Sequence, residues 1–247
     1  MGFLFNFIFT WWGLLLEILA LVHFFRRRPD FWWLFAIIFL GPLGAIIYLL
    51  IEALPDTRDF GGQSVRGFSR RKRIRELESL VQVNRAVGNI EELGDLYMDE
   101  GRLRQARAAF DQAIAAGSTT IDPFYRRGVC AVFLGEPQAA IPDLERTVAE
   151  DPTWDFHRAA GLLAHAYALT GQKQKAEALF RETTRLSTLS ETYLNFADLL
   201  ASEGRAAEAR EWARKVLEKA PAMPGYLRRR ERPWFRRARK MLRHLPA

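Results

Sequence analysis

The chain has 247 residues, a formal net charge of +7 and one cysteine, Cys130. A single cysteine excludes an intramolecular disulfide and gives no sign of an oxidising compartment. The charge is unevenly placed: residues 226–247 carry nine Arg or Lys and one Glu, whereas residues 79–225 are net −4. The basic character therefore belongs to the C-terminal tail and to residues 56–78, which are about +3.

Two apolar stretches open the chain, at residues 3–25 and 31–54. Each reaches the roughly 20 residues that a helix needs to cross a bilayer. The short basic stretch 26–30 separates them, so the pattern predicts a transmembrane helical hairpin over residues 1–55. A cleaved signal peptide fits poorly, because a basic n-region and a small-residue cleavage pattern are missing. A buried, soluble hairpin remains the other interpretation.

The orientation of this hairpin follows from the basic residues near its ends. The loop has three arginines, Arg26 to Arg28, and the flank from Arg58 to Lys72 has five basic residues. The excess favours the flank as the cytoplasmic side. The sequence thus predicts an integral protein of the plasma or inner membrane, with its repeat domain in the cytoplasm.

The second apolar stretch contains Gly41-Pro42-Leu43-Gly44 and begins with Trp32-Trp33. With the arginines before it, this pattern is similar to the N-terminal hairpin of cardiolipin synthases and related phospholipase D-type proteins, over about residues 10–55. The resemblance implies a membrane anchor, with Pro42 kinking the second helix. It does not imply phospholipase chemistry, because none of the four histidines begins the His-x-Lys pattern which that chemistry needs.

A repeat dominates the rest of the chain. Gly101, Gly135, Gly171 and Gly204 recur at intervals of 34, 36 and 33 residues, each inside the same local pattern. Every unit places a small residue early in a first helix, a glycine at the turn, and an alanine in a second helix. The small residues that should let the paired helices approach are Gly94, Gly128, Ala164 and Ala197.

Four such units in phase resemble the tetratricopeptide repeat family over about residues 87–221. The resemblance implies an all-α fold, an α-solenoid of helix pairs that presents a concave binding surface. Aromatic residues should fill the space between units, and prolines should end second helices. These residues are Tyr97, Phe110, Tyr167 and Phe180, and Pro152 and Pro221. Two residues depart from the pattern, Arg127 and Ala213, and Trp212 is expected to supply the volume that Ala213 lacks.

The predicted domain boundaries are a hairpin at 1–55, a basic linker at 56–72, the repeat array at 73–225 and a basic capping helix at 226–247. Residues 70–84 have a helical apolar stripe and are expected to cap the array at its N-terminal end. In the tail, Pro233 can start a helix. Its apolar face would be Trp234, Phe235, Ala238, Met241, Leu242 and Leu245.

The predicted function is non-catalytic: a membrane-anchored scaffold that binds a protein partner, as a peptide or a helix, in the groove of the array. No phosphate loop, paired metal-ligand histidines or nucleophile motif is found, so no catalytic residue, cofactor or metal is predicted. The expected partner-binding residues on the concave face are Glu91, Asp95, Tyr125, Arg126, Arg158, His165, Asn195 and Asp198.

Two alternatives remain open. The basic residues could contact anionic lipid, and nucleic acid is a weaker candidate, because no recognised binding motif is present. The hairpin resemblance alone suggests an accessory subunit of a phospholipid-synthesis enzyme. The residues expected at a membrane or phosphate surface are Arg70, Arg71, Lys72, Arg73, Arg236, Arg237, Arg239, Lys240 and Arg243.

Overall fold

A computed structural model of the protein describes residues 2–27, 32–49 and 54–246. Within these ranges the chain forms thirteen α-helices and no strand, which confirms the predicted all-α class. The helices divide between two compact units, one ending at Arg73 and the other beginning at Ile74. Parts of the predicted hairpin, at residues 28–31 and 50–53, lie outside the described residues.

The first unit contains helices α1 (Gly2–Arg27) and α2 (Trp32–Tyr48). They pack together through a small apolar core of Ala20, Phe24, Ile37, Ala45 and Tyr48. The expected kink in α2 occurs at Gly41, which leaves the helical region with φ 55° and ψ −135°, just before Pro42. A glycine tolerates this backbone conformation because it has no Cβ.

The prediction of a membrane location is contradicted. Among residues 2–27, 32–49 and 54–246, no helix is both long enough and apolar enough to cross a bilayer. In the second predicted span, 31–54, the described part of helix α2, Trp32–Tyr48, is interrupted at Gly41.

Helix α3 runs from Leu54 to Val83, through the residues predicted as a linker at 56–72. Pro55 stands in its first turn, where proline is compatible with a helix. Farther along α3, the expected apolar stripe is present, because Ile74 and Leu77 are buried. In the second unit these two side chains share a core with Ile90 and Leu93, so this end of α3 caps the first repeat.

Eight further helices form four consecutive pairs. They are α4 (Val87–Asp99), α5 (Leu103–Ala115), α6 (Asp122–Phe133), α7 (Pro137–Glu150), α8 (Trp154–Leu169), α9 (Lys173–Leu186), α10 (Ser190–Ser202) and α11 (Ala206–Glu218). The four turn glycines have φ between 72° and 80°. This left-handed conformation ends each first helix at no steric cost to a glycine. The predicted period is therefore the period of the helix pairs.

Close approach within a pair depends on the predicted small residues. A Cβ atom on Gly94 would lie 2.6 Å from the ring of Phe110, and one on Gly128 would lie 3.0 Å from Leu144. Phe110 and Leu144 are fully buried. Burial of a side chain of this size stabilises a fold by roughly 1.5–3 kcal/mol. The missing Cβ atoms thus make room for the side chains that hold each pair together.

The two departures from the repeat pattern have structural explanations. Arg127 donates from Nε and Nη2 to the two oxygens of the buried Asp143, at 2.7 Å each, and from Nη1 to Asp111 at 2.8 Å. A charged pair with several hydrogen bonds satisfies a guanidinium where an apolar residue was expected. Trp212 supplies the volume missing at Ala213, since its ring lies 5.0 Å from Tyr193 and 5.3 Å from Phe196.

The C-terminal tail forms a 3₁₀ turn (Ala220–Ala222) and helices α12 (Gly225–Arg230) and α13 (Arg232–His244). In α13, Phe235 and Ala238 are buried against the last helix pair, together with Leu194 and Val216. The apolar face of the tail therefore covers the last repeat, as expected of a terminal helix in a repeat array.

The close contact at Gly94 predicts the effect of adding one methyl group. Gly94→Ala should lower the free energy of unfolding by about 1–3 kcal/mol, because the buried Phe110 ring must move. Urea unfolding followed by far-ultraviolet circular dichroism measures the change.

Gly88→Ala is the matched control in the same helix, because a Cβ at Gly88 would meet no atom within 4 Å. Alanine there should stabilise the helix by up to about 1 kcal/mol. Equal effects of the two substitutions would contradict the proposed packing.

Candidate partner-binding groove

A groove of about 970 Å³ lies along the first helices of the repeats and the loop between α9 and α10. Its wall combines charged, aromatic and aliphatic side chains. The lining residues are Met98, Asp122, Tyr125, Arg126, Val129, Asp151, Thr153, Trp154, Asp155, Phe156, His157, Arg158, Leu186, Ser187, Thr188 and Leu189. A surface of this size and mixed chemistry suits an extended segment of another chain.

Arg126 links helices α4 and α6 at one end of the groove. Its Nε donates to Asp122 one turn earlier, at 2.5 Å, and its Nη1 lies 2.8 Å from Asp95 of α4. Although this ion pair is close, the Asp95 Oδ1 atom is buried and accepts no hydrogen bond of good geometry. Asp95 is thus only partly satisfied by Arg126.

Arg158 links helices α6, α8 and α10 at the centre of the groove. Its Nε donates to Glu191 at 2.7 Å, and its Nη1 lies 3.6 Å from Asp155. The hydroxyl of Tyr125 donates to Asp155 at 2.5 Å. Burial raises the pKa of Tyr125, so the phenol remains a donor at neutral pH.

Arg237 of the capping helix α13 makes a separate set of contacts at the C-terminal end of the array. Its Nη2 donates to Asn195 at 3.0 Å and also pairs with Asp198, both on α10. Burial and the nearby Arg237 lower the pKa of His165, which keeps that imidazole neutral at pH 7. We call these three groups of paired side chains together the polar ladder. Its members are Asp95, Asp122, Tyr125, Arg126, Asp155, Arg158, Glu191, Asn195, Asp198 and Arg237.

The structure brings six of the eight predicted concave-face residues into the polar ladder. Of these six, Tyr125 and Asn195 are buried, with exposed fractions of 6% and 4%, so they support neighbouring side chains. The two others are Glu91, which accepts a hydrogen bond from Ser118 at 2.7 Å, and His165.

Sequence reasoning missed several residues of the groove. Asp122 and Asp155 could be identified from the sequence, because they precede Arg126 and Arg158 by four and three residues, the spacing of helical ion pairs. The aromatic residues Trp154 and Phe156 and the position of Arg237 had no such signal, since they depend on how helices stack.

An unusual backbone segment lines the groove at the start of α8. Three consecutive residues other than glycine have positive φ: Asp155 (48°), Phe156 (55°) and His157 (64°). Left-handed geometry costs roughly 1–2 kcal/mol for each such residue. Strained residues of this kind concentrate at functional sites, where surrounding contacts hold them.

Contacts on both sides hold this left-handed segment in place. The Phe156 carbonyl accepts a hydrogen bond from Ser187 Oγ at 3.0 Å, and the His157 amide donates to the Thr153 carbonyl at 3.1 Å. The segment leaves the Phe156 ring 81% exposed at the groove. An exposed phenylalanine on a held backbone is a natural anchor for a binding partner.

Asp95, on α4 beside Arg126, has a strongly perturbed carboxyl group. Burial raises its pKa to about 6, and the neighbouring acids Asp122, Asp99 and Glu91 add to this effect against the opposing charge of Arg126. Its environment therefore favours an added positive charge.

The described residues offer little for chemistry. No group of three His, Cys, Asp or Glu side chains within them could hold a metal ion. Burial raises the pKa of the Cys130 thiol to about 11, so it is protonated at neutral pH and is a weak nucleophile.

The predicted basic surface residues fall in both units. Arg70, Arg71, Lys72 and Arg73 end the first unit. On α13, Arg237 faces the polar ladder, whereas four others lie on an exposed face at helical spacing. These four are Arg236, Arg239, Lys240 and Arg243, which line a shallow depression of about 640 Å³ with Leu242.

Comparison with known protein families identifies the residues that belong to the repeats. Models of the tetratricopeptide repeat match residues 91–153, 125–191 and 190–222, together more than half of the chain. No curated protein sequence matches. The resemblance of the N-terminal residues to cardiolipin synthases finds no support in these matches and stays a prediction.

Solved structures agree on the fold. YrrB, described as a TPR protein with an unusual peptide-binding site, is 20% identical, with a TM-score of 0.54 over 66% of this chain and 84% of its own. MamA from Desulfovibrio magneticus RS-1 is 19% identical, with a TM-score of 0.58 over 70% and 98%. The Thermus thermophilus TPR protein TTC0263 is 19% identical, with a TM-score of 0.54 over 76% and 98%.

The similarity to these solved structures establishes the fold. The family is established by the matched repeat models, together with the left-handed turn glycines and the paired helices. The chain belongs to the tetratricopeptide repeat family.

Proposed function

We propose that this protein is a non-catalytic scaffold that binds a segment of a protein partner in the groove described above. The observation that carries the proposal is the groove itself, with the exposed Phe156 ring held beside the polar ladder. Charged groups positioned by neighbouring helices give a binding surface its specificity, and an exposed aromatic ring gives it affinity. YrrB, a structure of the same fold, is itself described as having a peptide-binding site.

Two substitutions test the groove by different physical means. Phe156→Ala removes an exposed anchor without changing charge, and Arg126→Glu places a third carboxylate beside Asp95 and Asp122. Each should weaken partner binding by roughly tenfold or more, the effect of about 1.4 kcal/mol. Crosslinked co-purification of the full-length protein, with bound proteins quantified by mass spectrometry, measures the loss.

The controls carry the same chemical changes outside the groove. Tyr226→Ala removes a ring that is 76% exposed on α12, and Arg104→Glu reverses an exposed charge on α5. A discrete protein retained by both controls and lost from both groove variants supports the proposal. The same proteins on all four variants would show that the groove is not the binding surface.

A second candidate function rests on the exposed basic face of α13. Within the described residues, Arg236, Arg239, Lys240 and Arg243 form no ion pair. Four unneutralised charges within two helical turns favour contact with the phosphate groups of a polyanion. This function could coexist with the groove, because the two surfaces use different faces of α13.

Charge reversal tests this basic face. The double variant Arg236→Glu with Arg243→Glu should weaken binding to a single-stranded RNA oligonucleotide or to anionic vesicles, whichever phosphate source applies. It should also lower the salt slope of binding to RNA by about 0.7 for each lost phosphate contact. Fluorescence anisotropy measures binding to the RNA, and co-sedimentation measures binding to the vesicles.

The matched control reverses two exposed charges elsewhere, Arg104→Glu with Arg214→Glu. Equal losses in both double variants would indicate an effect of net charge alone. An unchanged affinity for both probes in the α13 variant would contradict a role for this face. The accessory-subunit alternative rests only on the N-terminal resemblance and stays a prediction.

A further inference from the structure

The groove has an excess of negative charge, although the chain as a whole is basic. Its lining includes three carboxylates, Asp122, Asp151 and Asp155, and two guanidinium groups, Arg126 and Arg158. Two further carboxylates lie on α4 beside this end of the groove: Asp95, which pairs with Arg126, and Glu91, one turn before it. A partner that neutralises this excess carries positive charge.

The excess is greatest at the α4–α6 end of the groove. There Arg126 stands between Asp95 and Asp122, and Glu91 and Asp99 add further charge to the same helix face. The Oδ1 atom of Asp95 is buried against Arg126, but the side chain as a whole is 42% exposed. An added guanidinium or ammonium group can therefore approach the exposed part of this carboxylate.

In a separate depression at the C-terminal end of the array, an arginine from outside the row of first helices already pairs with a first-helix carboxylate. Arg237 reaches in from the capping helix and pairs with Asn195 and Asp198 of α10. This intramolecular contact pairs a carboxylate of a first helix with a guanidinium group from another segment. No such outside residue pairs with Asp95 within the described part of the chain.

Apolar side chains share the groove wall with the charged ones. Trp154 and the exposed Phe156 lie beside Val129 and Leu189 around the centre of the groove. Aromatic rings and aliphatic side chains of this kind accept apolar groups, and a ring face also attracts a cation. The groove therefore offers acidic positions next to apolar ones.

We infer that the partner segment is basic, with an arginine or lysine that pairs with Asp95 and an apolar side chain that packs on Phe156. This inference rests on the proposed function, because it names the chemistry of the segment that the groove would bind. Because the groove carries more negative than positive charge, it is complementary to a basic segment rather than to an acidic one.

An array of random peptides of one length, probed with the labelled full-length protein, tests the inference. The peptides whose signal is lost in the Phe156→Ala variant define binding in the groove. These peptides should be enriched in arginine and lysine. Acidic peptides that bind equally to wild type and Phe156→Ala are assigned to the basic face of α13 and do not count.

Asp95→Asn then tests the position of the basic side chain. Affinity for the strongest groove-binding basic peptide, measured by fluorescence anisotropy, should fall on the order of fivefold, a loss expected for one partly exposed ion pair. Asp111→Asn is the matched control, because Asp111 on α5 is 51% exposed and pairs with Arg127 outside the groove. The control should bind like wild type.

The pH dependence of peptide binding provides a second test of the pairing with Asp95. Because its pKa is about 6, a fall from pH 7.5 to pH 5 protonates it and should weaken binding of the basic peptide. Part of this pH dependence should vanish in Asp95→Asn. The charged groups facing Asp95 are Arg126 and Asp122 from α6 and Glu91 and Asp99 from α4.

The outcomes separate the inference from the proposed function. Acidic or neutral peptides that depend on Phe156 would overturn the basic partner and leave the groove function intact. Equal weakening by Asp95→Asn and Asp111→Asn would overturn the pairing at Asp95. If no peptide depends on Phe156, the proposed function fails and the inference fails with it.

Discussion

The distance of closest approach between paired helices is the constraint on which the repeat array depends. Gly94 and Gly128 lack the Cβ atoms that would collide with Phe110 and Leu144, so the second helix of a pair can press its large side chains onto the first. Those side chains are fully buried. Because protein cores are packed to crystal-like density, a single added methyl group at such a contact is felt.

Close packing on one side of the first helices leaves their opposite side to form the groove. Charged residues there are only partly exposed, and partly buried charges require partners. Arg126 and Arg158 meet this need by pairing with carboxylates of their own helix and of a neighbouring helix. The same contacts that stabilise the stack therefore orient the surface that a partner would meet.

Helix α13 combines two physical roles within 13 residues. Phe235 and Ala238 are buried and close the core of the last repeat, while the exposed arginines and Lys240 lie on the opposite face. Arg237 lies between these faces and reaches the concave surface through Asp198. The same short helix therefore closes the core and concentrates basic charge on its exposed face.

The sequence by itself determined the helix pairs, the turn glycines and the capping face of the tail, because each is a local pattern repeated at a helical or 34-residue spacing. Only the tertiary structure decided which charges meet, since Asp95 and Arg126 lie on different helices. It also decided the left-handed backbone at Asp155 to His157, which depends on contacts such as that of Ser187 with the Phe156 carbonyl. In the second apolar stretch, composition alone led to the wrong prediction of a membrane span, because apolar residues do not reveal that Gly41 interrupts the helix.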